Sequence, residues 1–388
     1  GGLYSKVSDL WIPEANTFLS LQEAPHFILS QTLMLLTFLF LLKGWSASLL
    51  SEKKRKGVVF FVLAFVALLA LGFEHPYDLL LCTGTTIFTA AYLWLWKKVP
   101  RPALIISTSL IVLAAFIGNL YQYIETVTNP ILNNWAAQST SPTPMDYILG
   151  FGFIVVFAVI GLEKFLSERK TPQILIVSWI AATSILIYSP VFFQRRLSEG
   201  FHIPLSILAT EGILMAAVYV SGFVVQRAKK IVYSVFIVIM VILMTVGTVM
   251  GVSQDVRVIG NDNLSAYYYY LLNSEILGME FLRDRTGPSD VILSNWFYGN
   301  IIPGVTGRKV FIGHKAQTQD FDKKVELVNK FIIDKNADEA YKFLKDNHIT
   351  YVYVGSSDTM LSYGFKPDTK PYLIKVFDEG GATVYKVR

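Results

Sequence analysis

Apolar positions fall into eight near-continuous runs over the first two-thirds of the chain, then give way to shorter, alternating patterns. The runs lie near residues 27–42, 57–73, 79–96, 103–124, 147–162, 173–191, 205–225 and 231–252. A helix needs about 17–25 apolar residues to cross about 30 Å of hydrocarbon, where lipid offers no partner to open backbone groups. Each run therefore predicts a membrane-spanning helix. The first is short enough to predict a tilted or re-entrant element, and Pro25 ahead of it suits a helix start at the membrane surface.

Beyond residue 252 the periodicity changes. An amphipathic helix is expected over 266–285, strands at 291–294 and 309–313 around a turn-rich stretch, and helices over 320–333 and 337–347. Strands over 350–355, 372–377 and 382–388 follow, the last two joined through Asp378, Glu379, Gly380 and Gly381, a hairpin signal. Tyr267, Tyr268, Tyr269 and Tyr270 come soon after the last run, as aromatic rings do at a membrane interface. The predicted fold is a membrane α-helical bundle of about eight transmembrane helices followed by a small extracytoplasmic α/β domain. The expected divisions are 1–26 as an extracytoplasmic segment, 27–252 as the bundle and 253–388 as the α/β domain. No internal repeat or low-complexity tract argues for a solenoid.

Composition agrees: 53% of the 388 residues are hydrophobic and only 16% charged, against about 25% charged in soluble proteins, and the mean hydropathy is +0.46. Charge adds topology. The net charge of +5 comes from Lys and Arg clustered in every second loop: Lys43 with Lys53, Lys54, Arg55 and Lys56; Lys97, Lys98 and Arg101; Lys164, Arg169 and Lys170; Arg227, Lys229 and Lys230. No single basic face forms, so a nucleic-acid partner is not expected. Basic loops face the cytoplasm, which places the N-terminal stretch, the FEHPYD turn, the 129–144 loop, the QRRLSEGFH loop and everything after 252 on the outer side. The single cysteine, Cys82, lies within an apolar run, so no intrachain disulfide staples the outer domain. The opening GGLYSKVSDLW has no initiator Met and no secretory-signal pattern, and earlier spans are expected upstream.

The chemistry-bearing residues gather in the outer loops. In FEHPYD, Glu74, His75 and Asp78 could present acid and base groups to a cavity; equally, a hairpin needs Pro76 and polar residues to turn, and Asp78 can cap the next helix. Arg195 and Arg196 break the charge rule on an outer loop, so an anion is expected beside them. Guanidinium forks suit a lipid phosphate or pyrophosphate, with His202 nearby; pairing with Glu199 or a lipid headgroup is the plainer alternative. Glu14 and His26 could line a polar cavity or sit in a solvated loop. In the α/β region Asn295, Trp296, Tyr298, Asn300 and His314, with Arg308, run through Gly-rich turns; they suit sugar contacts, or ordinary strand-to-helix turns. No CxxC, HExxH, phosphate-binding loop or G-x-S-x-G occurs. A divalent cation held by carboxylates and histidines stays open, without an assigned ligand set.

The succession EANTFLSLQEAPHF, FEHPYD, QRRLSEGFHIPL and GNIIPGVTGRKVFIGH resembles prokaryotic polytopic membrane proteins grouped with the GT-C glycosyltransferases. The resemblance implies a many-helix bundle in the plasma membrane with an extracytoplasmic active site. It also implies transfer of a sugar from a polyprenyl-phosphate donor to a glycan, lipid or protein acceptor. The family's catalytic carboxylate lies in the first outer loop, upstream of Gly1, so no position here inherits that role. Inverting displacement at the anomeric carbon is implied, with Arg195 and Arg196 assisting the departing phosphate. Two other readings remain. A lipid or polysaccharide transporter or flippase would need charges deep in the spans and helices broken near the bilayer centre, whereas only Glu211, Asn119 and Gln226 are strongly polar there. A non-catalytic membrane assembly module would dock a partner on the α/β domain.

Overall fold

The structure, a computed structural model, describes residues 12–23, 25–129, 139–260, 270–315, 317–334, 336–356, 360 and 364–388. Tyr267, Tyr268 and Tyr269, and most of the 129–144 loop, lie outside the described residues. Contacts divide the chain into two compact units, one running to Ser253 and the other from Gln254 to Arg388.

The first unit is a helical bundle: α1 (Thr17–Glu23), α2 (Pro25–Ser48), α3 (Lys54–Glu74), α4 (Asp78–Leu95), α5 (Arg101–Thr128), α6 (Pro144–Phe151), α7 (Phe153–Glu168), α8 (Thr171–Leu186), α9 (His202–Ser221), α10 (Gln226–Met244) and the start of α11 (Val246–Gly260). Five helices among the described residues are long and apolar enough to cross a membrane, or seven if each of two bent pairs counts as one span. α3 shows why the interior of such a bundle is no more apolar than its surface. Gly57, Phe61, Ala64, Leu68 and Leu71 recur at helical spacing and are buried, while Val59 and Val66, equally apolar, are 54% and 53% exposed on the opposite side. A surface of that kind suits lipid rather than water.

The structure corrects four expected spans. The run at 27–42 belongs to a 24-residue helix that continues through Lys43 to Ser48, because helical hydrogen bonding does not stop where apolarity does; it is neither short nor re-entrant by length. The run at 147–162 is broken by a 90° bend between α6 and α7. Thr143 and Asp146 form a reciprocal capping box that starts α6, and Gly152, at φ +50°, takes a backbone conformation at the bend that a side chain would strain. The run at 173–191 yields α8, a helix of only 16 residues. The run at 231–252 bends by 43° at the α10–α11 junction.

Two apolar clusters hold the bundle. One gathers Met34, Phe38, Trp45, Phe61, Leu68, Leu79, Ile111 and Trp179, where α2, α3, α4, α5 and α8 meet. The other gathers Ile12, Tyr147, Phe151, Phe157, Leu197, Leu205 and Leu208. In the second, α7 and α9 cross at Gly161 and Gly212: a Cβ on Gly161 would strike the Leu208 carbonyl, and one on Gly212 the Phe157 carbonyl. Lys98 Nζ donates to the Arg169 carbonyl at 2.7 Å, and the Arg169 guanidinium lies over Trp96, 4.5 Å from the ring centre. The α4–α5 and α7–α8 loops, both basic, therefore share one end of the bundle.

The second unit is an α/β sandwich. A five-stranded sheet runs in the order β2-β1-β3-β5-β4, built from β1 (Val291–Leu293), β2 (Lys309–Val310), β3 (Ile349–Val354), β4 (Leu373–Glu379) and β5 (Ala382–Val387). β1 pairs in parallel with β2 and β3; β5 pairs antiparallel with β3 and β4. Alternation along β3 explains the two layers of helices. Val352 and Val354 face α14 (Phe321–Ile333) and α15 (Ala337–Asp346) through Phe331 and Leu344, while Tyr351 and Tyr353 face α12 (Asn273–Arg285) and α13 (Trp296–Thr306) through Met279, Leu282 and Ile302. The stretch expected to be turns after Asn295 is the helix α13, with Pro303 inside it. The 378–381 hairpin forms as expected, β4 and β5 joining through Gly380 and Gly381.

Candidate functional site

The site in the bundle begins at the short turn between α3 and α4. The His75 amide donates to the Leu71 carbonyl at 2.7 Å, closing α3, and Pro76, which has no N–H to give, ends the helix. Asp78 opens α4. Three residues of turn thus fold two ionisable side chains back on one another: His75 Nδ1 lies 3.0 Å from Asp78 Oδ2, and the two residues are 4% and 0% exposed. The imidazole is walled by rings. Phe27 meets it edge-on at 5.5 Å and Tyr77 at 5.3 Å, and the His26 ring is 6.2 Å away.

A second segment, Gln194–Ser198 and the two residues after it, closes over this turn. The Arg195 amide donates to the Ser139 carbonyl at 2.8 Å, and the Gly200 amide donates to the Glu14 carbonyl at 3.1 Å. The latter bond brings in the turn Pro13–Ala15, so that Arg195 Nη2 donates to Glu14 Oε1 at 3.2 Å. Arg196 lies over the Tyr77 ring at 4.7 Å. The anion expected beside the arginines is thus supplied in part by the chain itself. Glu199, fully buried, turns inward: Ser30 donates to its Oε1 at 2.7 Å, while its Oε2 stands 3.8 Å from His75 Nδ1.

Three carboxylates, Glu14, Asp78 and Glu199, thereby occupy one buried neighbourhood, and the field of Glu14 reaches both of the others. Burying like charges is costly unless opposite charge or donors compensate. Here the compensation is incomplete. Glu14 Oε2, Asp78 Oδ1, Glu199 Oε2 and His75 Nε2 have no hydrogen-bond partner among the described residues. One ligand atom each from His75, Asp78 and Glu199 fall within 4.8 Å of one another, a grouping able to hold a metal ion.

Of the residues singled out in the sequence, Glu14, His75, Asp78, Arg195 and Arg196 come together here. His26 and Glu74 sit beside the cluster with exposed side chains. His202 belongs elsewhere: it contacts Thr17 Oγ1 at 3.3 Å, stacks on Phe151 and lines a cavity of about 1050 Å³ with Asn16, Ser206, Thr210 and Met244. Both bent helix pairs, at Gly152 and Thr245, border that cavity. Glu211 is paired with Lys164 Nζ at 2.6 Å. Two contributors to the cluster carry no sequence signal: Ser30, an unremarkable serine in an apolar run, and the inward turn of Glu199, whose sequence context suggests only a partner for the arginines.

In the α/β unit Asn295 caps α13, its Oδ1 accepting the Tyr298 amide at 3.0 Å. Asn295 and Trp296 line a small cleft of about 50 Å³ with Ile312, Asn329 and Met360. Asn300 and His314 have exposed side chains. Tyr298 is fully buried; its hydroxyl donates to Glu275 Oε1. Glu275, also unforeseen, receives a further bond from Ser356 Oγ at 2.6 Å and from the Leu272 amide at 2.9 Å.

No family model matches the sequence, and no curated protein matches it significantly. The fold has solved counterparts. It is similar to the oligosaccharyltransferase of Archaeoglobus fulgidus in its apo form, with a TM-score of 0.51 at 12% identity, covering 84% of this chain and 52% of that one. An oligosaccharyltransferase AglB of the same archaeon, in complex with an inhibitory peptide and a dolichol-phosphate, aligns at a TM-score of 0.38, 14% identity, 84% of this chain and 45% of that one. The first of these enzymes, tethered to an acceptor peptide, aligns at 0.39, 16%, 84% and 44%. The chain thus spans about half the length of these counterparts. The first alignment shows a fold shared with that archaeal enzyme; identity this low speaks to fold alone.

Proposed function

We propose that the chain is the whole or a part of a GT-C-type membrane glycosyltransferase that takes a sugar from a polyprenyl-phosphate donor on the extracytoplasmic face. The observation that carries this reading is the meeting, at the α3–α4 turn, of buried carboxylates with two arginines inside a fold of the oligosaccharyltransferase kind. In the reaction, an acceptor oxygen or nitrogen bonds to the anomeric carbon as the bond from that carbon to the phosphate oxygen breaks. The acceptor's proton passes to a carboxylate, for which Asp78 and Glu199 are in place, and the guanidiniums of Arg195 and Arg196 receive the negative charge of the departing phosphate. A glycan or lipid is the proposed acceptor, and the cleft of Asn295 and Trp296, with Asn300 and His314, the proposed contact on the α/β unit. The loops carrying Lys98 and Arg169 are assigned to the cytoplasm and residues 253–388 to the outer side, in keeping with the segregation of basic residues.

The test is transfer by the full chain in lipid nanodiscs from a polyprenyl-phosphate sugar. Replacing Arg195 and Arg196 by Ala lowers turnover at least about a hundredfold, the loss typical of removing groups that stabilise developing charge. Undiminished turnover in a variant that still unfolds cooperatively removes the pair from the mechanism. One observation favours a second reading, a lipid transporter: two bent helix pairs border the His202 cavity, and broken helices are tolerated in membranes where they line such a space. Movement of a labelled lipid across vesicles containing the chain, without sugar transfer, selects it.

A further inference from the structure

We infer that the end of α4 farthest from the buried cluster carries a site for the phosphate headgroup of an anionic phospholipid, held by Lys97, Lys98 and Arg101. α4 runs from Asp78 to Leu95, about 27 Å at 1.5 Å per residue, so a ligand here is separate from any ligand at the α3–α4 turn.

The site starts from the way α4 stops. The Lys98 amide donates to the Leu93 carbonyl at 3.0 Å and the Lys97 amide to the Trp94 carbonyl at 3.1 Å, the paired bonds of a Schellman cap. Such a cap places one residue in the left-handed region, where glycine is the usual occupant; here it is Lys97, at φ +51°. α7 stops in the same conformation at Arg169, φ +53°. Chain reversal alone would be met with less strain by glycine, and backbone strain of this kind gathers where ligands are held.

The turn, the start of α5 and Leu49 just beyond α2 wall a cavity of about 360 Å³. Lys97, Lys98 and Arg101 line it with Trp94, and no Asp or Glu does; the sequence has no acidic residue from 79 to 124. Lys98 Nζ donates to the Arg169 carbonyl, and the Arg101 guanidinium lies 5.0 Å from the centre of the Trp94 ring. Glu168, at the adjoining end of α7, pairs with Lys170 at 2.7 Å instead. Cations gathered around one cavity without a carboxylate draw an anion, and ammonium and guanidinium groups suit phosphate. The surroundings favour a lipid over a free ion. Leu49 is 58% exposed, and Leu95 and Trp96, directly after Trp94, are 77% and 53% exposed; tryptophan marks the depth of headgroups, and basic pockets between spans hold anionic ones.

The experiment is native mass spectrometry of the full chain in detergent, titrated with phosphatidylglycerol or with phosphatidylcholine of the same chain length. Phosphatidylglycerol is expected to bind at least about fivefold more tightly, the factor one cation contributes beside an anionic headgroup. Lys97→Ala with Arg101→Ala, both exposed, lowers its affinity roughly twentyfold and leaves phosphatidylcholine unchanged. Lys229→Ala with Lys230→Ala, an equal loss of charge on α10, keeps the preference. Equal binding of the two lipids by the unsubstituted chain overturns the site without reliance on any variant's folding. A preference that survives the first pair of substitutions, or falls as far with the second, also overturns it. Displacement of phosphatidylglycerol by millimolar inorganic phosphate would give the cavity to a free ion and sink the lipid. Sugar transfer has no part in these readouts, so the site and the proposed function fail separately.

Discussion

Each unit of the protein buries a glutamate almost completely, and the two are treated in opposite ways. Glu275 in the α/β unit is 1% exposed, and both of its oxygens are met: Tyr298 and Ser356 hydroxyls donate to Oε1, and the Leu272 amide to Oε2. Its own carbonyl accepts the Tyr353 hydroxyl at 3.0 Å. Glu199 in the bundle is 0% exposed; the Ser30 hydroxyl donates to its Oε1 and the Gln31 side chain also hydrogen-bonds to it, yet Oε2 has no hydrogen-bond partner among the described residues, with a second carboxylate and an imidazole for neighbours. Depth of burial is therefore no mark of a reactive group. A fully donated carboxylate ties α12, α13 and the loop after β3 together; a partly donated one keeps capacity for something else.

Amide substitution separates the two most sharply. Glu199→Gln is expected to cost at least about a hundredfold in sugar transfer, the scale of losing a charged group from a reacting centre, while thermal unfolding of the bundle changes little; an equal loss of stability would place Glu199 in the structural class. Next in size, Glu275→Ala leaves two hydroxyls and an amide without their acceptor and destabilises the α/β unit by about 2–4 kcal/mol. Faster hydrogen exchange across β3 and β5, with exchange in the bundle unchanged, is the signature, and unaltered exchange would contradict it. Smallest, Tyr298→Phe deletes one donor to Glu275 and costs about 1–2 kcal/mol by the same measurement; a change in sugar transfer without a change in exchange would instead move Tyr298 to the ligand-contacting surface.

The apolar runs were readable because lipid imposes a length on any helix that crosses it, and α3, α4 and α5 follow that rule closely. The same reasoning could not see the 90° break at Gly152, since one glycine in an apolar run leaves hydropathy untouched. Counting apolar residues also ended α2 six residues early, at Lys43, whose stem continues the helix while its charge reaches out. In the α/β unit Gly299, Gly304 and Pro303 signalled turns, yet they lie within α13, where tertiary packing outweighed local propensity. The His75–Asp78 pair was legible as a tight polar turn. Its meeting with Glu199 and with Glu14, 181 residues from Arg195 in sequence, depends on how the bundle closes, and no local pattern records that.

The α3–α4 turn makes the buried cluster unequal. His75 and Asp78 are only three peptide bonds apart, so the turn itself keeps their side chains close. Glu199 arrives on a different segment, ahead of α9, and is held there from α2 by Ser30. Two members of the cluster are thus set by local chain geometry, and the third by how distant helices pack.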